Sequence, residues 1–260
     1  MATEIRTRVG AHNLSQPQTD GLRHAFATVQ AYRDNRGFHY IAGLHGTPGW
    51  FCWHHQQNRQ TARHMQLFLP WHRAYLYTLE RALRDVVPET MLPWWDWTLR
   101  PPRQDGLPRA FTDPAPNPLL NFHIRTRTSR GLIDRDTIRQ PGPVEALPTA
   151  ATIENCLIKP DWLDFCLAVE DLHDDVHGWV GGDMGQVATA AYDPIFWAHH
   201  ASIDRMWWLW QIRHGNGDIP PDLLDVVLAP FNLRVRDVLN VQNLGYDYAA
   251  ARRRITISGT

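Results

Sequence analysis

The chain has 260 residues, enough to bury one full hydrophobic core, so a single domain over 1–260 is the expected organisation. Its 26 basic and 27 acidic residues leave a net charge of -1, which argues against nucleic acid or an anionic membrane surface as a partner. No window approaches the roughly 20 apolar residues that span a bilayer, and the opening MATEIRTRVG lacks an apolar signal-type run, so a cytoplasmic location is the expectation.

In chain order, Leu22, Phe26, Val29 and Tyr32 recur at intervals of three and four. They predict a first amphipathic helix from Thr19 to Asn35, capped by Thr19 or Asp20 and followed by Gly37. The stretch GLHGTPGWFCWHHQQNRQ, Gly43 to Gln60, has no sustained period and reads as a loop. Tyr75, Leu76, Leu79, Leu83 and Val86 predict a second helix from about His72 to Val87, stopped by Pro88. Of the 19 prolines, 12 lie from Pro88 to Pro160, which predicts long irregular loops there. A third helix is predicted from Asp161 through Glu170, His173 and His177 to Gly181 and Gly182, and a fourth from about Ala198 to His214 before Gly215. Beyond Pro220 the pattern is mixed, short strands or coil. The fold class is therefore mainly α, a single domain built on a four-helix bundle, and facing helices of such a bundle can build a metal site.

Two counts are high: 12 Trp and 14 His. Tryptophan supplies rigid apolar walls and histidine is the commonest metal ligand. In HDDVHGWVGGDM, His173 and His177 stand four apart, which returns both imidazoles to one helical face. His12, His24, His39, His123 and His214 read as surface residues. The remainder offers two groups of three: His45, His64 and His72 before the proline-rich stretch, and His173, His177 and His200 after it. Three imidazoles with an open position hold a borderline metal that must also bind a substrate. The absence of a carboxylate from either trio favours copper or zinc over magnesium, calcium or manganese, and a dizinc hydrolase stays open on ligand chemistry alone. Arg73 and Asp204 follow His72 and His200 by one and four residues, a placement suited to an ion pair bracing two helices. Trp71, Trp94, Trp95, Trp97, Trp179 and Trp197 read as core walls. Three cysteines cannot all pair, which argues against a disulfide scaffold, although Cys156 and Cys166 could bridge.

FLPWHRAYLYTLE, LPWWDW, HDDVHGWVGGDM and DPIFWAHHASIDRMW together resemble the type 3 copper family of tyrosinases, catechol oxidases and molluscan haemocyanins. The resemblance runs from EIRTRV near the start to LGYDY at Leu244 to Tyr248, which matches the Tyr-x-Tyr close of the polyphenol oxidase core. It implies two copper ions, the first held by His45, His64 and His72 and the second by His173, His177 and His200. It also implies dioxygen and a small phenol as partners, and oxidation of monophenols or o-diphenols to o-quinones.

The same resemblance gives neighbouring residues roles. Glu170 looks like the family glutamate that holds a water near the second copper, a candidate base for the phenolic proton. Asp174 stands where many tyrosinases have Asn beside that water. His199 would flank the pocket entrance, and Val187 stands where some catechol oxidases place a bulky Phe over the copper, leaving room for larger phenols. From His64 to His72 is eight residues where the family more often has nine, which keeps His54 and His55 as substitutes for His64. Ala62 occupies the slot of the fungal thioether cysteine and Cys52 is the only cysteine in this half, which reads as a free thiol with a thioether to a ligand histidine as the alternative. The chain stops soon after LGYDY, and no C-terminal lid domain is expected. An o-aminophenol oxidase would use the same centre, and a haemocyanin-like carrier that binds dioxygen without turnover is the alternative from another functional class.

Overall fold

The computed structural model describes residues 5–52, 61–128 and 131–249. After strand β1 (Arg6–Arg8), helix α1 spans Gln16–Ala31. Its start is fixed by Ser15: the hydroxyl accepts from the Gln18 N–H while the Gln18 side chain accepts from the Ser15 N–H. This reciprocal cap, not the first apolar position, begins the helix three residues before the expected Thr19, and Tyr32 is already extended. Short helices α2 (Phe38–Ala42) and α3 (Ala62–Met65) flank the predicted loop. Helix α4 runs Phe68–Val86, one turn earlier than its apolar pattern indicated. Pro70 falls in the first turn, where the missing N–H had no intrahelical acceptor to lose.

Among the described residues the proline-rich stretch holds no long helix. It does hold an antiparallel hairpin, β2 (His123–Thr128) with β3 (Gly131–Asp136), and one short helix, α5 (Ala150–Leu157), begun by a Thr149 cap. Helix α6 (Trp162–Val180) starts where the Asp161 carboxylate accepts from the Asp164 N–H, and it ends at Gly181, whose φ of 63° disfavours any side chain. Helix α7 (Ile195–His214) starts directly after Pro194, before the expected Ala198. The segment beyond Pro220 forms the small pair β4 (Val227–Leu228) and β5 (Leu233–Arg234), helix α8 (Val235–Val238) and strand β6 (Tyr246–Tyr248).

Helix α1 packs on α4, and α4, α6 and α7 pack on one another. All six tryptophans expected as core walls are buried, and each large apolar side chain so removed from water contributes about 1.5–3 kcal/mol. The three cysteines are free and buried, so the possible Cys156–Cys166 bridge is not made; the Cys156 thiol meets the Ala168 carbonyl at 3.5 Å instead. Among the described residues no helix is long and apolar enough to cross a membrane.

Strands β1 and β6 pair in parallel, with Arg6 opposite Tyr246 and Arg8 opposite Tyr248. This pairing closes a buried charge network around Asp204 of α7. Arg8 donates to Asp204 at 3.0 Å, to Glu80 of α4 at 2.8 Å and to the Tyr248 hydroxyl at 2.8 Å, and its guanidinium lies 3.6 Å from the centre of the Tyr246 ring. Arg73 of α4 forms the expected ion pair with Asp204, and the Tyr246 and Tyr248 hydroxyls also donate to that carboxylate. Burial pushes the Asp204 acid up, but Arg73 and Arg8 more than offset this and hold it below the ordinary carboxylate range. The two ends of the family-like stretch thus meet on the residue that ties α4 to α7.

Candidate metal centre

His173 and His177 project from α6, and His199 and His200 from α7, into one buried cluster. The Nε2 atoms of His173 and His177 lie 3.2 and 3.3 Å from Nε2 of His200. Two ligands of a tetrahedral ion with metal–nitrogen bonds of about 2.0–2.1 Å stand about 3.3 Å apart, so these three nitrogens fit one such ion. The outer ring nitrogens fix the inward aim. His177 Nδ1 donates to the Met184 carbonyl at 2.6 Å, and His173 Nδ1 to the Asp174 carboxylate at 3.0 Å.

The first half-site contains His45, Cys52 and His72, all buried and with potential ligand atoms within 4.8 Å of one another. His72 Nδ1 donates to the Phe68 carbonyl at 2.9 Å, which turns Nε2 inward to lie 3.7 Å from Cys52 Sγ. His45 sits in the turns between α2 and residue 52. Its loop is held by the Tyr75 hydroxyl, which donates to the carbonyls of Ile41 and Ala42 at 2.8 and 3.1 Å. The structure does not bring His64 into this group. That residue lies on α3, half-buried, with Nδ1 hydrogen-bonded to the Thr61 hydroxyl at 2.7 Å. The break between α3 and α4 separates it from the helical register of His72. His54 and His55 lie outside the described residues.

The two halves adjoin. His72 stacks on His200 with ring centres 4.3 Å apart and an interplanar angle of 17°, and His45 lies 6.3 Å from His200. Phe68 and Phe196 wall the centre, 4.9 Å from His173 and 5.0 Å from His45 respectively. Neither was singled out from the sequence, yet each stands four residues before a histidine, in FLPWH and FWAHH, and packs on it at 4.7 and 4.0 Å. The repeated Phe-x-x-x-His spacing was the available signal.

Burial lowers the His177 pKa to about 4 and pulls His199 and His200 well below the ordinary histidine value, with neighbouring imidazoles adding to the effect on the last two. The rings are therefore neutral near pH 7, the form that binds metal. Glu170, three residues before His173, is buried, and its Oε2 has no hydrogen-bond partner among the described residues. Burial, with Asp174 and Asp171 nearby, raises its acid to about 8. The Asp174 side chain is 65% exposed; partial burial and the charges of Asp171 and Asp175 raise its acid. His199, expected at the pocket entrance, is instead fully buried, stacked on His173 at 5.2 Å and packed on Trp97 at 5.2 Å. Val187 is half-buried in the loop that follows α6. That loop crosses the His45 loop so closely that a Cβ on Gly46 would lie 2.4 Å from the Val187 carbonyl oxygen.

Three converging imidazoles beside a second histidine group define a dinuclear histidine metal centre. Residues 35–143 and 123–213 match the family model described as the common central domain of tyrosinase. The chain belongs to this family, the type 3 copper proteins, whose centre holds two copper ions. This closes the zinc reading that the histidines alone left open. The chain is 30% identical to Hemocyanin 1 of Megathura crenulata over 250 residues, 88% of this chain but only 7% of that protein's length. It is 32% identical to a tyrosinase of Streptomyces glaucescens over 200 residues, 64% of this chain and 72% of that one. A functional unit of octopus haemocyanin superposes with a TM-score of 0.78 at 28% identity, covering 94% of this chain and 68% of that one.

Proposed function

We propose that this protein is a phenol oxidase that converts o-diphenols, and monophenols, to o-quinones with dioxygen. In this reading His45 and His72, with Cys52 beside them, hold the first copper, and His173, His177 and His200 hold the second. When bound, the copper pair supplies the redox chemistry between phenol and dioxygen. Two catechols and one dioxygen give two o-quinones and two waters; one monophenol and one dioxygen give one o-quinone and one water.

The observation that carries the proposal is Glu170, a buried acid with an oxygen that has no partner among the described residues, on the helix that bears two candidate ligands. Oxygen binding alone needs no proton acceptor, whereas phenol oxidation must remove the phenolic proton. Cationic charge at the two sites favours the carboxylate form of Glu170, poised to take that proton directly or through a water. In this reading Asp174 acts on the centre through the His173 ring that it holds, and the small Val187 leaves room for the phenol. His199, packed behind His173 and His177, positions their rings and does not meet substrate.

The experiment is Glu170→Gln in copper-loaded protein. The variant keeps two coppers per chain while quinone formation falls by about a hundredfold. Unchanged turnover would remove the base from the account. An oxygen carrier is the second reading, favoured by the haemocyanin likeness. Reversible oxygen binding with no quinone on adding catechol would establish it. An o-aminophenol oxidase is the same centre with an amino group in place of one hydroxyl, and comparison of rates on the two substrates separates these.

A further inference from the structure

Trp97, whose ring packs against His199, also lines a cavity of about 1210 Å³, and none of the candidate metal ligands lines it. Arg205 of α7 stands in its wall, only 8% exposed. The guanidinium lies 4.2 Å from the centre of the Trp94 ring and makes no hydrogen bond or ion pair among the described residues; its Nε is buried without a partner. Arg103 also lines the cavity, but its side chain is exposed to solvent; the other charges nearby are committed. Arg100, in the same wall, donates to the carbonyls of Trp97, Leu99 and Leu147. Glu154 accepts from Arg213 at 2.7 Å, and Asp96 accepts from the N–H and hydroxyl of Thr98.

A buried cation without a counter-charge is costly, and so is a buried donor without an acceptor. Here the orphans are all of one kind. Besides Arg205 Nε, the indole N–H groups of Trp94 and Trp97 lack acceptors among the described residues. Burial pulls the Arg205 guanidinium below its ordinary value, and Asp96 offsets this only in part. What these buried donors lack is an acceptor oxygen within hydrogen-bond reach.

We infer that this cavity binds a monoanionic carboxylate with a flat apolar body, paired to Arg205 and packed against Trp94 and Trp97. The planar fork of arginine matches a carboxylate through two parallel hydrogen bonds. A single buried uncommitted cation, with Asp96 and Glu154 in the same wall, disfavours a dianion such as phosphate. Indole faces favour a planar ring over a branched chain.

The test is calorimetric titration of the copper-loaded full chain with 3-phenylpropanoate and with its neutral amide at constant ionic strength. The acid is expected to bind at a site independent of the metals and the amide at least about tenfold more weakly, the scale of a charge-assisted hydrogen bond. Arg205→Met should weaken the acid at least about tenfold while copper content is unchanged. Arg205→Lys keeps a cation over Trp94 but loses the fork, so it serves if the methionine variant does not fold; affinity should fall at least about threefold. Equal binding of acid and amide, no saturable binding of the acid, or affinity unchanged in either variant would overturn the inference. Unchanged affinity in Arg205→Met would place the carboxylate at the coppers instead.

Discussion

The two halves of the metal centre are held by different means. His173, His177 and His200 come from two long helices, so covalent spacing and helical register set where their rings point. In the first half only His72 is helical. His45 and Cys52 lie in turns whose position depends on distant anchors: the Tyr75 hydroxyl on Ile41 and Ala42, and the Thr47 N–H on the Ala188 carbonyl at 3.0 Å. A metal site can thus be written locally in one half and depend on tertiary packing in the other. The first half should be the easier one to lose.

His200→Ala attacks the asymmetry at its centre, because that ring touches His72 across the halves as well as His173 and His177. Copper content should fall below two per chain, and catechol oxidation by at least about a hundredfold, the upper end of what losing even an outer partner of a ligand costs. Two retained coppers by metal analysis would break the comparison. Asp204→Asn tests the brace shared by the halves. It leaves Arg8 and Arg73 buried against a neutral group and should cost about 3–5 kcal/mol, read from chemical denaturation. Because the folded state depresses the Asp204 acid, its contribution is present above the unfolded value of about 3.9 and is lost as pH falls through the folded value. The stability gap between native protein and variant should therefore close in acid and be widest near neutrality.

Tyr75→Phe sharpens the contrast. Removing one buried hydroxyl takes away the donor that the two carbonyls share, each keeping one backbone N–H, about 0.5–1.5 kcal/mol, and should release copper from the first half at chelator concentrations that spare the second. Equal release from both would show that the His45 loop needs no such anchor. Asp174→Asn is the smallest change. It should raise the ratio of monophenol to diphenol turnover by about threefold, under 1 kcal/mol in relative barrier. An unchanged or lower ratio would remove the position from substrate choice.

The same contrast explains what could be read in the sequence. The helices bearing His173, His177 and His200 were legible because Asp161 and Gly181 punctuate one and Gly215 ends the other, while spacing of four aligned the first two rings. Local caps were less visible: Ser15 began α1 earlier than its apolar pattern, and Pro70 proved compatible with the first turn of α4. The placement of His64 was not legible, since proximity to His72 in sequence does not carry across the break between α3 and α4. Nor could periodicity show β1 pairing with β6, because three-residue strands far apart in the chain have too little pattern to announce a partner. The buried Arg8 and the two tyrosines of LGYDY acquire their purpose only when Asp204 lies between them.

Oxygen uptake by copper-loaded protein, followed together with quinone absorbance after catechol is added, tests the central claim most directly. Sustained consumption of one dioxygen for every two catechols oxidised, abolished by removing copper and restored by returning it, is the predicted result. Reversible oxygen uptake that leaves catechol unoxidised would contradict it.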